Sequence, residues 1–250
     1  MSNNFTDLRL PIGKVLENKI TKFFQDLDLI VLPTEKFKQS LTKEQPDVWQ
    51  SDFLKKNKTI LMLRYLPDLI VLDKSNKIES FFLDTKVMFT PVYLKTLPDL
   101  INKTLNENIT LDNLGLIERE AYTTYMLYQK AGIKVAVLAL CTYNPELIFC
   151  DYIQNIKTLF TEKQNRNYYS SGSTTPRVNI DFRKMSSFKN FLSKELKINN
   201  FNKFHELYKD LEKNFNFIGL PRTIRSETSN EVKVYVEKKC NRKLIFKNLF

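Results

Sequence analysis

The chain has 250 residues, 42% of them hydrophobic and 27% charged, with a net charge of +11, a composition that supports a globular fold with a sizeable core. No apolar run approaches the roughly 20 residues that span a bilayer, and no signal-peptide core stands at the N-terminus, so the expectation is a cytoplasmic protein without a membrane anchor. Three cysteines without a CxxC pair, a single histidine (His205) and five glycines without a phosphate-loop pattern argue against structural zinc, histidine-based chemistry and a nucleotide cofactor. With no GxSxG elbow either, carboxylates and lysine are the catalytic groups that remain.

In chain order, residues 1–12 read as a loose lead-in. Gly13 opens a helix to about Asp26, with Leu16, Ile20, Phe23, Phe24 and Leu27 on one stripe and Glu17 at its edge. The segment 28–58 offers a short strand in DLDLIVLP and otherwise reads as an insertion, with Pro33, Pro46 and Trp49. That tryptophan is either a packing anchor or a ring on which a base stacks. Thr59–Phe89 reads as three successive strands at Ile60–Leu63, Leu69–Leu72 and Ile78–Leu83. Leu66-Pro67 and Asp73-Lys74-Ser75-Asn76 supply the breaks between them.

Pro91–Asn113 is expected to be helical over Tyr93–Lys103. A stronger helix follows at Leu116–Lys130, with Ile117, Ala121, Thr124, Tyr125 and Tyr128 on one face and Gly132 as its stop. Lys134–Cys141 (KVAVLALC) is a continuous apolar run, as in a strand covered on both faces, which makes Cys141 a buried thiol; Glu146–Ile153 is its expected partner. Tyr168–Asp181 is rich in Ser, Gly and Pro. It reads either as a surface loop or as a phosphate-binding loop with Arg177. Helices are expected at Ser186–Leu196 and Phe201–Phe215, then a terminal hairpin over 231–247.

The charge is unevenly placed. Residues 151–250 hold 20 Lys+Arg against 10 Asp+Glu, whereas residues 1–150 hold 19 against 18. AT-rich coding sequence would explain why lysine outnumbers arginine 30 to 9, but not this asymmetry. The expectation is a core over 1–155 and a basic C-terminal extension over 156–250 that contacts nucleic acid, with Arg177, Arg183 and Lys184 as phosphate contacts.

Chemistry concentrates in the middle of the chain. Pro67-Asp68 precedes Asp84-Thr85-Lys86 by sixteen positions, and alternation along a strand puts Asp84 and Lys86 on one face. Pro-Asp occurs three times and acid-x-Lys five times, but the Asp68–Asp84 pair alone is joined through strand-like sequence at a hairpin distance. Two carboxylates held close together repel, and burial aggravates this. A hard divalent cation such as Mg²⁺ relieves it, with the Thr85 carbonyl as a further oxygen and Lys86 beside a developing phosphate charge.

Pro67, Asp68, Asp84 and Lys86, on strands within a helix–three strands–helix–strand order over residues 13–142, resemble the PD-(D/E)XK nuclease superfamily. The resemblance implies an α/β, restriction-endonuclease-like fold: a mixed central sheet flanked by helices (α-β-β-β-α-β), here with a basic α+β C-terminal extension. It implies a Mg²⁺-dependent DNA endonuclease, with Mn²⁺ as a substitute. Asp68, Asp84 and Lys86 would be catalytic, and Asp68, Asp84 and Thr85 would hold the metal. A glutamate on the first helix reaches the metal in several branches, and Glu17 is the match; the alternative is a flank residue paired with a lysine. No Gln-x-x-x-Tyr pattern marks the second helix. Duplex DNA is the expected partner, and its twofold symmetry favours a homodimer. Two other readings stand beside this one: a nuclease-fold subunit of a replication or transcription assembly that binds without cutting, and an unrelated α/β interaction protein.

Overall fold

The computed structural model describes residues 4–44, 57–75, 77–88, 101–103, 105–106, 108–109, 114–141, 148–159 and 177–215. The elements are α1 (Asn4–Gln25), β1 (Leu29–Pro33), α2 (Glu35–Glu44), α3 (Lys58–Arg64), β2 (Leu69–Asp73), β3 (Phe81–Met88) and β4 (Leu114–Glu118). Then come α4 (Arg119–Lys130), β5 (Lys134–Cys141), β6 (Ile148–Tyr152), β7 (Arg177–Asp181), a 3-10 turn (Phe182–Lys184), α5 (Phe188–Lys194) and α6 (Asn202–Phe215). Five strands form a central sheet in the order β1-β2-β3-β5-β6, and β4 pairs with β7 in a second sheet. In the central sheet β3 and β5 run parallel and the other neighbours antiparallel. The fold is mixed α/β. No helix among the described residues is long and apolar enough to cross a membrane.

The apolar run of β5 lies in the middle because both its faces are covered. Ala136, Leu138 and Leu140 face a cluster with Leu16, Ile20 and Phe24 of α1 and Phe188, Phe191 and Leu192 of α5. Val135, Val137 and Ala139 face the opposite cluster, with Ala121, Tyr125 and Tyr128 of α4 and Val178 and Ile180 of β7. Phe81 meets Phe24 and Phe191 edge-on, a geometry worth about 0.5–1.5 kcal/mol per pair beyond burial. The C-terminal elements β7, α5 and α6 therefore contribute to the same two clusters as the first 155 residues.

The strand at Lys134–Cys141, its partner at Ile148–Tyr152 and the two helices after residue 186 fall where the sequence placed them. Ser187 caps α5 by accepting the Asn190 N–H, and Gly132 ends α4 with a φ of 83°. His205 is exposed on α6.

Five expectations change. Residues 60–63 are helical: Asn57 caps α3 by accepting the N–H groups of Thr59 and Ile60, and Leu, Met and Arg favour helix. Four apolar residues in a row do not distinguish strand from helix. The third strand of the antiparallel set is instead β1, paired along its whole length with β2. Residues 4–12 of the expected lead-in are part of α1. Within the expected insertion, residues 35–44 form α2. Arg177–Asp181 is a strand and not a loop. Trp49, the thiol of Cys141, most of Tyr93–Lys103 and the hairpin over 231–247 lie outside what the structure describes.

The fifth change concerns Leu116–Lys130, whose first three residues belong to β4. Gly115 explains the switch, because it is a poor helix former and lies against β7. A Cβ there would come within 2.6 Å of Ile180 Cγ1 and of the Phe182 ring. Both side chains are buried, so either must shift within a packed core to admit it. Gly115→Ala is therefore expected to destabilise the protein by about 1–3 kcal/mol, read as a lower urea midpoint with an unchanged slope.

Candidate functional site

Asp68 is fixed from behind before its carboxylate is used. Buried Thr34, immediately after β1, donates its N–H to the Asp68 carbonyl at 2.9 Å, and its hydroxyl bonds the carbonyls of Pro67 and Asp68. The β2–β3 register sets Leu69 opposite Leu83, so the next pair along brings Asp68 opposite Asp84. The Asp68 Oδ2 accepts both the Thr85 N–H and the Thr85 hydroxyl, each at 3.0 Å. Its Oδ1 lies 3.5 Å from the Lys38 ammonium of α2. Burial alone would raise the Asp68 pKa; Lys86, Lys38 and the two Thr85 bonds outweigh it and hold the carboxyl below its ordinary value.

Asp84 is the more deeply placed acid, with 1% of its surface exposed. The Lys86 ammonium straddles its two oxygens, at 2.9 Å from Oδ1 and 2.8 Å from Oδ2. The first contact has hydrogen-bond geometry, whereas buried Oδ2 has no hydrogen-bond partner. Burial pushes the Asp84 pKa up to about 6; Lys86 pulls it down and the charge of Asp68 adds to the rise. For Lys86, burial lowers the pKa, but Asp84 and Asp68 together leave it above its ordinary value. Lys86 is thus an ammonium at neutral pH, a donor and a positive charge rather than a base. The Tyr125 phenol of α4 also approaches this carboxylate, and burial, then Asp84 and Asp68, push its pKa well up.

These groups open into a recess of about 160 Å³. Asp68, Asp84 and Lys86 form one wall. Lys38 of α2, Tyr65 after α3, Leu116 and Glu118 of β4, and Arg177 of β7 form the others. Tyr65 is held by a hydrogen bond to Glu120. Sequence reasoning missed Lys38, Tyr65, Glu118 and Tyr125 as members of this site. Tyr125 had a signal, because it shares the buried face of α4 with Ala121.

Three of the other candidates are elsewhere. Glu17 does not line the recess: it pairs with Lys14 at 2.8 Å, and Lys14 also bonds Glu35. Its pKa is raised by burial and, secondarily, by Asp68, against the pull of Lys14. Arg183 holds Asp181 through Nε and Nη2 at 2.8–3.2 Å and donates to the Asn108 carbonyl. Lys184 stands 3.9 Å from the same carboxylate. Asp181 is at the far end of the strand that begins with Arg177, about 13 Å away at roughly 3.3 Å per residue.

The donor set suits a hard cation. Among the described residues no three His, Cys, Asp or Glu side chains are grouped closely enough to hold a metal by themselves. Mg²⁺ often takes one or two carboxylates and keeps several waters, and buried Asp84 Oδ2 is ion-paired with the Lys86 ammonium at 2.8 Å but accepts no hydrogen bond. Asp68 and Asp84 would hold such an ion. Thr85 turns its N–H toward Asp68, and N–H and C=O of a strand residue leave by the same edge, so its carbonyl leaves β3 on the Asp68 side. Compared with known proteins, the chain matches no family model, and no curated protein or solved structure matches it.

Proposed function

We propose that the protein is a cytoplasmic Mg²⁺-dependent endonuclease of the PD-(D/E)XK type that hydrolyses phosphodiester bonds in duplex DNA. One observation carries the reading: Asp68, immediately before β2, and Asp84 of β3 line one recess, with Lys86 on Asp84, where the β2–β3 register continued by one pair sets the two acids opposite each other. With α2 and α3 inserted after β1 and β4 inserted after β3, the order α1-β1-β2-β3-α4-β5 runs around that floor and supports it. Bound by Asp68, Asp84 and the Thr85 carbonyl, Mg²⁺ or Mn²⁺ would supply positive charge at the phosphate and activate water for attack.

The chain's own groups have separate tasks. Thr34 and Thr85 hold the Asp68 carboxylate in one orientation. Lys86, an ammonium at neutral pH, donates to the attacking water and stabilises charge that develops on the phosphate. The basic C-terminal part neutralises the backbone on either side, and a twofold dimer would bring one site to each strand.

The test is incubation of the purified protein with supercoiled plasmid, branched DNA and RNA, each with Mg²⁺ or with chelator. Nicking that needs Mg²⁺ is the expected result. No cleavage of any substrate with either Mg²⁺ or Mn²⁺ would sink the reading; binding of nucleic acid without cutting would then separate a non-cutting nuclease-fold subunit from an unrelated interaction protein. Because Glu17 is ion-paired away from the recess, Glu17→Gln is expected to keep cleavage within about threefold of wild type, a change near RT. A loss of a hundredfold would place Glu17 in the metal site after all.

A further inference from the structure

Among the described residues, Arg177 is a cation of the recess whose side chain makes no ion pair or hydrogen bond. It opens β7 directly opposite Glu118 of β4, and both line the recess, yet no ion pair joins them among the described residues. Its Nε is buried without a hydrogen-bond partner. The contrast with Arg183 is sharp, since that guanidinium is taken up by Asp181 and the Asn108 carbonyl. A buried guanidinium donor that bonds nothing weakens the free protein. Groups left in that condition are characteristic of sites completed by a ligand.

The chemistry of that ligand follows from the surroundings. Across the recess stand Lys86 on Asp84 and Lys38 on Asp68. Three cations from three separate elements, α2, β3 and β7, therefore converge on one small volume. A guanidinium fork recognises a tetrahedral oxyanion through two parallel N–H bonds, which an ammonium does not match.

We infer that Arg177, with Lys38 on another wall, is the phosphate-binding group of the recess, gripping the non-bridging oxygens of the phosphodiester that sits over Asp68 and Asp84. This deepens the nuclease reading by placing Arg177 on the reacting phosphate instead of along the flanking backbone. It also requires β4 and β7 to be part of the site, because their pairing is what carries Arg177 there. The shared chemistry is a nucleic-acid phosphodiester, from DNA or from RNA.

The experiment compares wild type, Arg177→Met and Arg177→Lys. It measures fluorescence anisotropy of labelled duplex DNA, single-stranded DNA and RNA in chelator, alongside thermal melting. Arg177→Met is expected to weaken binding about ten- to hundredfold, the range of one charge-assisted contact. It should also flatten the salt dependence by about one phosphate contact. Arg177→Lys should recover part of the affinity. The arm that binds wild type most tightly identifies the source of the phosphate. Melting of Arg177→Met should hold or rise, since an unbonded buried donor is removed.

Binding and salt dependence equal to wild type in Arg177→Met would overturn the inference. So would melting several degrees lower, which would make Arg177 a structural residue. The two readings fail separately. A wild type that cuts nothing, with binding still dependent on Arg177, keeps the phosphate site and removes the nuclease. Cleavage lost in Asp84→Asn but intact in Arg177→Met does the reverse.

Discussion

Asp84→Asn and Lys86→Ala should each lose cleavage by at least about a hundredfold, and they should lose it in different ways. Asp84→Asn keeps the shape of the side chain and removes a negative charge, so divalent affinity and turnover are expected to fall together. Lys86→Ala leaves both carboxylates, but it removes the charge that pulls the Asp84 pKa down. With that charge gone, Asp84 holds its proton to higher pH, and a divalent ion must compete with it. Metal binding by Lys86→Ala should therefore be weak near pH 6 and recover by about pH 8.5, an order-of-magnitude reading of the same shift.

If Lys86 acts on the chemical step, cleavage stays low at pH 8.5 although the metal has returned. Calorimetric titration of Mn²⁺ beside a nicking assay, at both pH values, separates the two effects. Lys86→Ala will also be less stable. The loss should be smaller than the about 3–5 kcal/mol of a fully buried pair, because 30% of the lysine side chain is exposed. Wild-type cutting by both variants would end the nuclease reading.

The floor of the recess was legible in the sequence because its chemistry is local. Asp68 immediately precedes β2 and Asp84 and Lys86 lie on β3, its neighbour in the sheet, and strand alternation alone puts Asp84 and Lys86 on one face. The walls were not legible in the same way. Arg177 reaches the recess through the pairing of β7 with β4, about sixty residues earlier in the chain, and neither strand announces that register. Lys38 arrives on a helix that follows Thr34, and one buried threonine ties that junction to Pro67 and Asp68. The segment 60–63 fails for another reason. Its four apolar residues do not distinguish strand from helix by periodicity; the Asn57 cap starts the helix, and Tyr128 of α4 adds a tertiary contact by donating its hydroxyl to the Met62 carbonyl. The C-terminal basic residues were read by charge alone, and charge does not distinguish Arg183, committed to Asp181, from Arg177.

In chelator, the protein should grow less stable as the pH rises from about 4 to about 6, and Asp84 should be the reason. Its carboxyl titrates at an ordinary 3.8 in the unfolded chain and at about 6 in the fold. Over that interval the folded state binds the extra proton, so the stability it gives is complete below the lower value and lost above the higher one. The displacement corresponds to about 3 kcal/mol at most, or roughly 6–12 °C in melting temperature for a chain of this size. Glu17, also raised, adds a smaller slope of the same sign. Asp68 and Asp73 are lowered, so their contributions are lost only as the pH falls below this window.

Asp84→Asn isolates the effect. Its own melting temperature should change little with pH over the window, and the gap to wild type should close or reverse in the variant's favour as the pH rises. Lys86 loses a partner in that variant, but it stays charged across the window, so its cost shifts the curve without tilting it. Restoring Mg²⁺ at pH 7, at about a hundred times its dissociation constant, should return about 2.7 kcal/mol to wild type and nothing to the variant. A flat wild-type profile between pH 4 and 6, or equal stabilisation of both proteins by Mg²⁺, would show that Asp84 is an ordinary structural acid.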